Sequence, residues 1–242
     1  EKLAPMARAG AEWNGYRTGL ACVPGRTRTA LARRTGTELL RSDRHRRPDL
    51  CYRNEDVAIW FLHILQGKET SMHCHPNKNT GFVVLNGEAK LSFLRNSIDL
   101  KSLDKIHIFR SRFHSTKAIS EQGAYIFEIE TPEDKHDLVR LEDSYGRAGK
   151  EYEGANAHVP KTDDCIWIDE PSVTPKELKL FNHIAVHKKI ESKEELLDQE
   201  EETLFIVTQG GLVTKDNQRI VWPGDVCDGK TLSRLANAFD ID

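Results

Sequence analysis

From Asp49 onward, short runs rich in Val, Ile, Phe and Leu alternate with breaks of Gly, Asn, Asp and Lys. The breaks recur about every ten residues, which predicts short strands joined by turns. The predicted strands include Val57–Leu65, Thr70–His75, Gly81–Leu85, Glu88–Leu94, Lys105–Phe109 and Tyr125–Glu130. Between the third and fourth, Asn86-Gly87 predicts a tight hairpin, because both residue types tolerate positive φ. Many short strands with regular turns point to an all-β antiparallel barrel or sandwich.

Past Pro132 the periodicity fades, and residues 133–164 read as a charged arm or linker that wraps the first domain. A second strand-rich block, residues 165–242, carries one helix signal. There Ser192, followed three residues later by Glu195, forms a capping box ahead of Leu196 and Leu197.

The two blocks echo each other. Thr80-Gly-Phe-Val-Val-Leu-Asn-Gly87 parallels Thr203-Leu-Phe-Ile-Val-Thr-Gln-Gly210, and each is followed after a charged loop by an aspartate, Asp104 or Asp225. A duplicated β-domain accounts for this better than one domain with a tail.

Charge divides the chain differently. Residues 1–48 hold ten Arg, one Lys and four acids, a net of +7, whereas the remainder carries a net of -10. The N-terminal segment reads as an irregular, Arg-rich, solvated or non-native arm. It lacks the aromatic interleaving of a nucleic-acid binder, so no nucleic-acid partner is expected. The longest apolar run, Val57 to Leu62, is far short of the roughly 20 residues that span a bilayer, so no membrane partner is expected either. Five cysteines at 22, 51, 74, 165 and 227 form no CxxC pair. Reduced thiols and a cytoplasmic location fit that usage.

Candidate chemistry is concentrated in the first block. On a strand, His73 and His75 point to one side and Cys74 to the other, and antiparallel pairing would return His114 to the histidine face. Three neutral imidazoles suit one divalent transition metal: Zn, Fe, Mn or Ni.

Gly67, five residues, His73-Cys-His75, four residues, Thr80, six residues and Gly87 resembles the first signature of the cupin superfamily. The stretch Phe109-Arg-Ser111-Arg-Phe-His114 resembles the second, with Phe and Ser where the family has Pro and Gly. The resemblance covers about residues 55–132. Together with the echo between the blocks it implies two cupin-type jelly-roll barrels, the second degenerate and truncated, with His73, His75 and His114 as metal ligands in the first. Where the family signature has a ligating glutamate this chain has Thr80, and Glu128 is a candidate substitute ligand.

A further stretch is Glu128-Ile-Glu-Thr-Pro, then Asp137-Leu-Val-Arg140-Leu-Glu-Asp143-Ser-Tyr145-Gly146-Arg147. It resembles the segment after the barrel in type II mannose-6-phosphate isomerases and related cupins of sugar-nucleotide pathways. That resemblance implies a metal-dependent isomerase or epimerase of a phosphorylated or nucleotide-linked sugar. Arg140 and Arg147 would then hold the anion, and Glu128 would be the proton-transferring carboxylate. Lys90 and Arg112 are candidates for added positive charge, with solvated surface charge as their alternative. In the second block, His183 and His187 read as exposed strand histidines, and no metal site is expected there. Two other readings stay open, a non-catalytic sugar-binding or regulatory cupin and a three-histidine non-haem iron dioxygenase. A homodimer is the default assembly.

Overall fold

In the computed structural model, the residues described are 18–24, 49–132, 134, 136–142 and 166–242. The order is all-β with one α-helix. The first unit is formed by β2 (Asp49–Arg53), β3 (Ala58–Ile64), β4 (Met72–Cys74), β5 (Asn79–Asn86), β6 (Glu88–Phe93), β7 (Ser97–Lys101), β8 (Lys105–Ile108), β9 (His114–Ala118), β10 (Ala124–Thr131) and β11 (Val139–Glu142). They follow a β1 (Thr18–Pro24) that belongs to the second unit. Successive strands cross between two antiparallel five-stranded sheets, ordered β2-β3-β10-β5-β8 and β11-β4-β9-β6-β7, the arrangement of a jelly roll.

Two features of the first unit depart from the sequence expectation. The Asn86-Gly87 turn is tight, with Gly87 at φ 81°, but it is no hairpin: β5 and β6 lie in different sheets, so Gly87 turns the chain around a barrel corner. The barrel also extends past Pro132, because β11 pairs with the histidine strand β4.

The wall β2-β3-β10-β5-β8 is buried on both faces, which is why Ala58–Ile64 reads as a continuous apolar run. Alternate residues Trp60, Leu62, Phe82, Val84 and Ile126 fill the barrel interior with Leu91 and Leu100 of the opposite sheet. The intervening Ile59, Phe61, Val83, Phe127 and Ile129 pack outward onto Leu180, Ala185, Leu204 and Ile206 of the second unit. Each such aliphatic or aromatic side chain contributes about 1.5–3 kcal/mol when fully buried.

The second unit contains β12 (Glu177–Leu180), β13 (His183–Lys189), β14 (Leu204–Gln209), β15 (Leu212–Val213), β16 (Arg219–Val221), β17 (Val226–Asp228), α1 (Gly229–Ala238) and β18 (Asp240–Ile241). Its sheets are ordered β12-β13-β1-β14-β17 and β16-β15-β18. Laid over the first unit, β1 occupies the slot that β10 fills there. That slot is thus filled by residues 18–24, inside the segment expected to be irregular. The echo between the blocks holds in their hydrogen bonds. Val84 N–H donates to the Asp104 carbonyl at 3.0 Å and Val207 N–H to that of Asp225 at 3.0 Å, while Leu103 and Gly224 N–H donate back to Val84 and Val207 at 2.8 and 2.7 Å.

The capping-box signal produces a short 3-10 turn, Lys193–Leu196. Glu195 Oε1 accepts from the N–H groups of Glu191 and Ser192 at 2.8 and 3.1 Å. The α-helix lies instead at Gly229–Ala238, read from sequence as part of a strand-rich block. Asp228 caps it by accepting from Thr231 N–H at 2.7 Å, and Leu232 and Ala236 face the second core. No helix among the described residues is long and apolar enough to cross a membrane.

Candidate metal centre

His73 and His75 lie at and just after β4, and His114 opens β9, directly opposite His73 in the antiparallel register. Strand alternation sends both β4 imidazoles inward, and the pairing brings in the third, as expected. Ring centroids are 4.4 Å apart for His73 and His114, 5.0 Å for His73 and His75, and 5.7 Å for His75 and His114. One nitrogen from each ring lies within 4.8 Å of the others, and Cys74 stands outside the group.

Each ring is oriented by a backbone carbonyl. His73 Nδ1 lies 2.7 Å from the Ser71 carbonyl, His75 Nδ1 2.7 Å from that of Asp137, and His114 Nδ1 2.9 Å from that of Arg112. A carbonyl only accepts, so each Nδ1 carries the proton and each Nε2 keeps its lone pair. His75 Nε2 and His114 Nε2 are buried with no hydrogen-bond partner among the described residues. Orphaned, converging lone pairs with Nδ1 held from behind are what a metal-binding histidine set requires.

Electrostatics keep the rings neutral. Burial, then the neighbouring His114 and His75 rings, holds His73 well below the ordinary imidazole value. Burial and the Lys78 ammonium bring His75 down to about 3, and burial lowers His114. Neutral imidazole is the ligating form. These residues fit a single divalent transition metal.

Beside the trio, β10 projects Glu128 and Glu130 onto the same interior face. An oxygen of each lies within 4.8 Å of a His75 ring nitrogen and of the other carboxylate. Burial first and the Glu130 charge second raise the Glu128 carboxyl well above the usual range, and Lys78 offsets this in part. Glu130 Oε1 accepts from Lys78 Nζ at 2.5 Å and Oε2 from Trp60 Nε1 at 3.0 Å. The loop ahead of Lys78 is pinned by Asp137, whose carboxylate accepts from Asn77 N–H, Asn77 Nδ2 and Lys78 N–H at 2.8 to 2.9 Å.

Other sequence candidates fall in different places. Arg140 lies opposite His73 on β11, half-buried, and its charge helps keep His73 neutral. Arg112 is exposed in the loop before β9, where its carbonyl orients His114. Lys90 is not at the site: Ala89 and Leu91 face the barrel interior, so period two turns Lys90 outward, where it pairs with Asp99 at 3.0 Å. Arg147 lies outside the described residues.

His183 and His187 are strand residues as expected, yet buried rather than exposed, because β13 packs against the first unit. His183 Nε2 lies 3.0 Å from the Leu85 carbonyl, and His187 Nε2 lies 3.1 Å from Thr208 Oγ1. Sequence reading gave no role to Glu130, Lys78, Trp60 or Asp137. Glu130 carried a signal, being two residues from Glu128 on one strand, and Asp137 stood at the start of the segment that carries the second resemblance.

No protein-family model matches the chain, and no curated protein matches it. Solved structures do. A conserved protein with a double-stranded β-helix domain from Klebsiella pneumoniae matches at 17% identity over 42% of this chain and 89% of that chain, with a TM-score of 0.39. KdgF from Halomonas sp. matches at 14% identity over 36% and 80%, with a TM-score of 0.34. A cupin-2 domain-containing protein from Shewanella frigidimarina matches at 18% identity over 38% and 85%, with a TM-score of 0.33. Identities this low concern the fold alone.

Proposed function

We propose that this chain is a metal-dependent bicupin of carbohydrate metabolism that isomerises or epimerises a phosphorylated or nucleotide-linked sugar. The observation that carries the metal-dependent part is the trio His73, His75 and His114, with every Nδ1 tied to a carbonyl and Nε2 facing the barrel interior. A divalent metal held there would polarise a carbonyl or hydroxyl oxygen of the sugar.

The chain's own residues supply the rest. The carboxylate pair of β10, Glu128 and Glu130, is the group within reach to carry a proton between neighbouring carbons. To Arg140, opposite His73, and Arg112, in the loop before β9, we assign the anionic substituent, which a guanidinium holds in bidentate fashion. Behind the site the barrel interior is apolar, built from Phe82, Val84, Ile126 and Leu91. The resemblance of the segment after β10 to sugar-isomerase cupins supports the substrate class.

The test is metal content and turnover of mannose 6-phosphate in the wild type and in His73→Ala/His75→Ala. Stoichiometric metal and isomerisation, both lost in the variant, support the reading. A variant that keeps both eliminates it. Oxygen consumption with bound iron would instead favour a dioxygenase.

A further inference from the structure

The cupin signature has a carboxylate where β5 carries Thr80, and the fold shows what stands there. Thr80 is 1% exposed, faces the barrel interior, and its Oγ1 meets no hydrogen-bond partner among the described residues. Directly across the ladder lies Glu130 of β10, with Glu128 two residues earlier on the same face. The two carboxylates of the adjacent strand thus approach the trio at its His75 corner and do not group with His73 or His114 at 4.8 Å.

The two are not equivalent. Both oxygens of Glu130 are engaged, one by the Lys78 ammonium and one by the Trp60 indole, so its charge is matched and its orientation fixed. Glu128 makes no hydrogen bond to a described residue, although its oxygen lies within 4.8 Å of a His75 ring nitrogen. No donor among the described residues meets Glu128, so both of its oxygens are open to a cation, and the Nε2 lone pairs of His75 and His114 mark where one would sit. A second metal in the His75, Glu128 and Glu130 group is excluded by chemistry, since His75 has one nitrogen left and the Lys78 ammonium already occupies Glu130.

We infer that Glu128 is the fourth protein ligand of this centre, supplied from β10 in place of the carboxylate that β5 lacks, while Glu130 is committed to Lys78 and Trp60. The inference rests on the histidine trio being a metal site. It moves the carboxylate donor from one strand to its neighbour and separates the β10 pair into a ligand and a carboxylate engaged by Lys78 and Trp60.

The experiment titrates the chelator-stripped protein with Co2+, read by calorimetry and by the visible d–d spectrum. Wild type should bind about one equivalent. Glu128→Gln should weaken binding at least about tenfold, the low end expected for disturbing a metal shell, and change the spectrum. Thr80→Glu in the Glu128→Gln background should restore affinity, since a carboxylate returns to the trio from β5. Glu128→Asp, which keeps the charge on a shorter arm, should fall between and serves as the readout if the glutamine variant folds poorly. Unchanged affinity and spectrum in Glu128→Gln, or an unchanged affinity in Glu128→Asp should that variant be needed, would overturn the inference while leaving the three-histidine centre standing. Failure of the wild type to bind Co2+ would overturn the metal reading itself, and the inference with it.

Discussion

Lys78 extends its ammonium into the barrel to within 2.5 Å of Glu130, with 2% of the lysine side chain exposed. A pair removed this far from water is worth most when intact, because either partner alone is a stranded charge. Lys78→Met should destabilise the metal-free protein by about 3–5 kcal/mol. Adding Glu130→Gln, which keeps an acceptor for the Trp60 indole, should recover most of that loss. Urea unfolding of the single and double variants in chelator checks both, and additive losses would refute the coupling.

The glycines of the metal-site signature differ in what they tolerate. Gly67 has φ +70° with open space around its Cβ position, whereas a Cβ on Gly87, at φ +81°, would stand 2.0 Å from the Gly123 carbonyl oxygen. Gly67→Ala should cost about 1–2 kcal/mol, the left-handed penalty alone. Gly87→Ala forces backbone apart at the barrel corner and should cost upwards of about 3 kcal/mol. Comparing their thermal midpoints tests the difference.

Histidines between the two units give the fold a dependence on pH. His183 and His187 are both held below the ordinary value of 6.5, chiefly by burial. Above pH 6.5 they are neutral folded or unfolded, and pH has no leverage through them. Below it the unfolded chain takes up protons that the folded chain resists, so stability falls with pH, by at most about 1.4 kcal/mol per pH unit for each histidine. The apparent melting temperature should decline below pH 6.5, and His187→Gln should flatten the decline. An unchanged slope would show that the interface histidines are not responsible.

The strand β1 lies between β13 and β14, with Ala21 opposite Val186 and Phe205. Ala21→Pro deletes a ladder N–H in a strand paired on both sides, where proline is not tolerated. Amides of β13 and β14 should then exchange hydrogen faster, while those of β3 and β10 stay protected. Uniform protection would show that β1 contributes nothing to the second unit.

What was legible from sequence was local. The spacing of His73, His75 and His114, and the alternation that sends two of them inward, depend on a period of two and survive unchanged in the fold. What escaped depends on partners distant in sequence. The burial of His183 is imposed by Leu85, 98 residues away, and the value of Lys78 by Glu130, 52 residues away. No local pattern records such neighbours. Helix α1 was missed for another reason: its apolar positions, Leu232, Leu235 and Ala236, are few and follow a run of strand residues. The N-terminal strand was hidden by the arginines around it.

The doubly covered wall gives this protein an unusual exposure to slips in strand pairing. On a sheet with one wet face, moving a strand by one residue trades core for solvent. Here the trade on β10 would be between two covered faces. Glu128 and Glu130 would turn into the layer shared with Leu204 and Ile206, and Phe127 and Ile129 into the histidine pocket. One such error would strand two carboxylates in hydrocarbon and plug the metal pocket with it. Correct pairing of β10 is thus settled by the chemistry on both of its sides at once, and the pocket and the union of the two units stand or fall on the same registration.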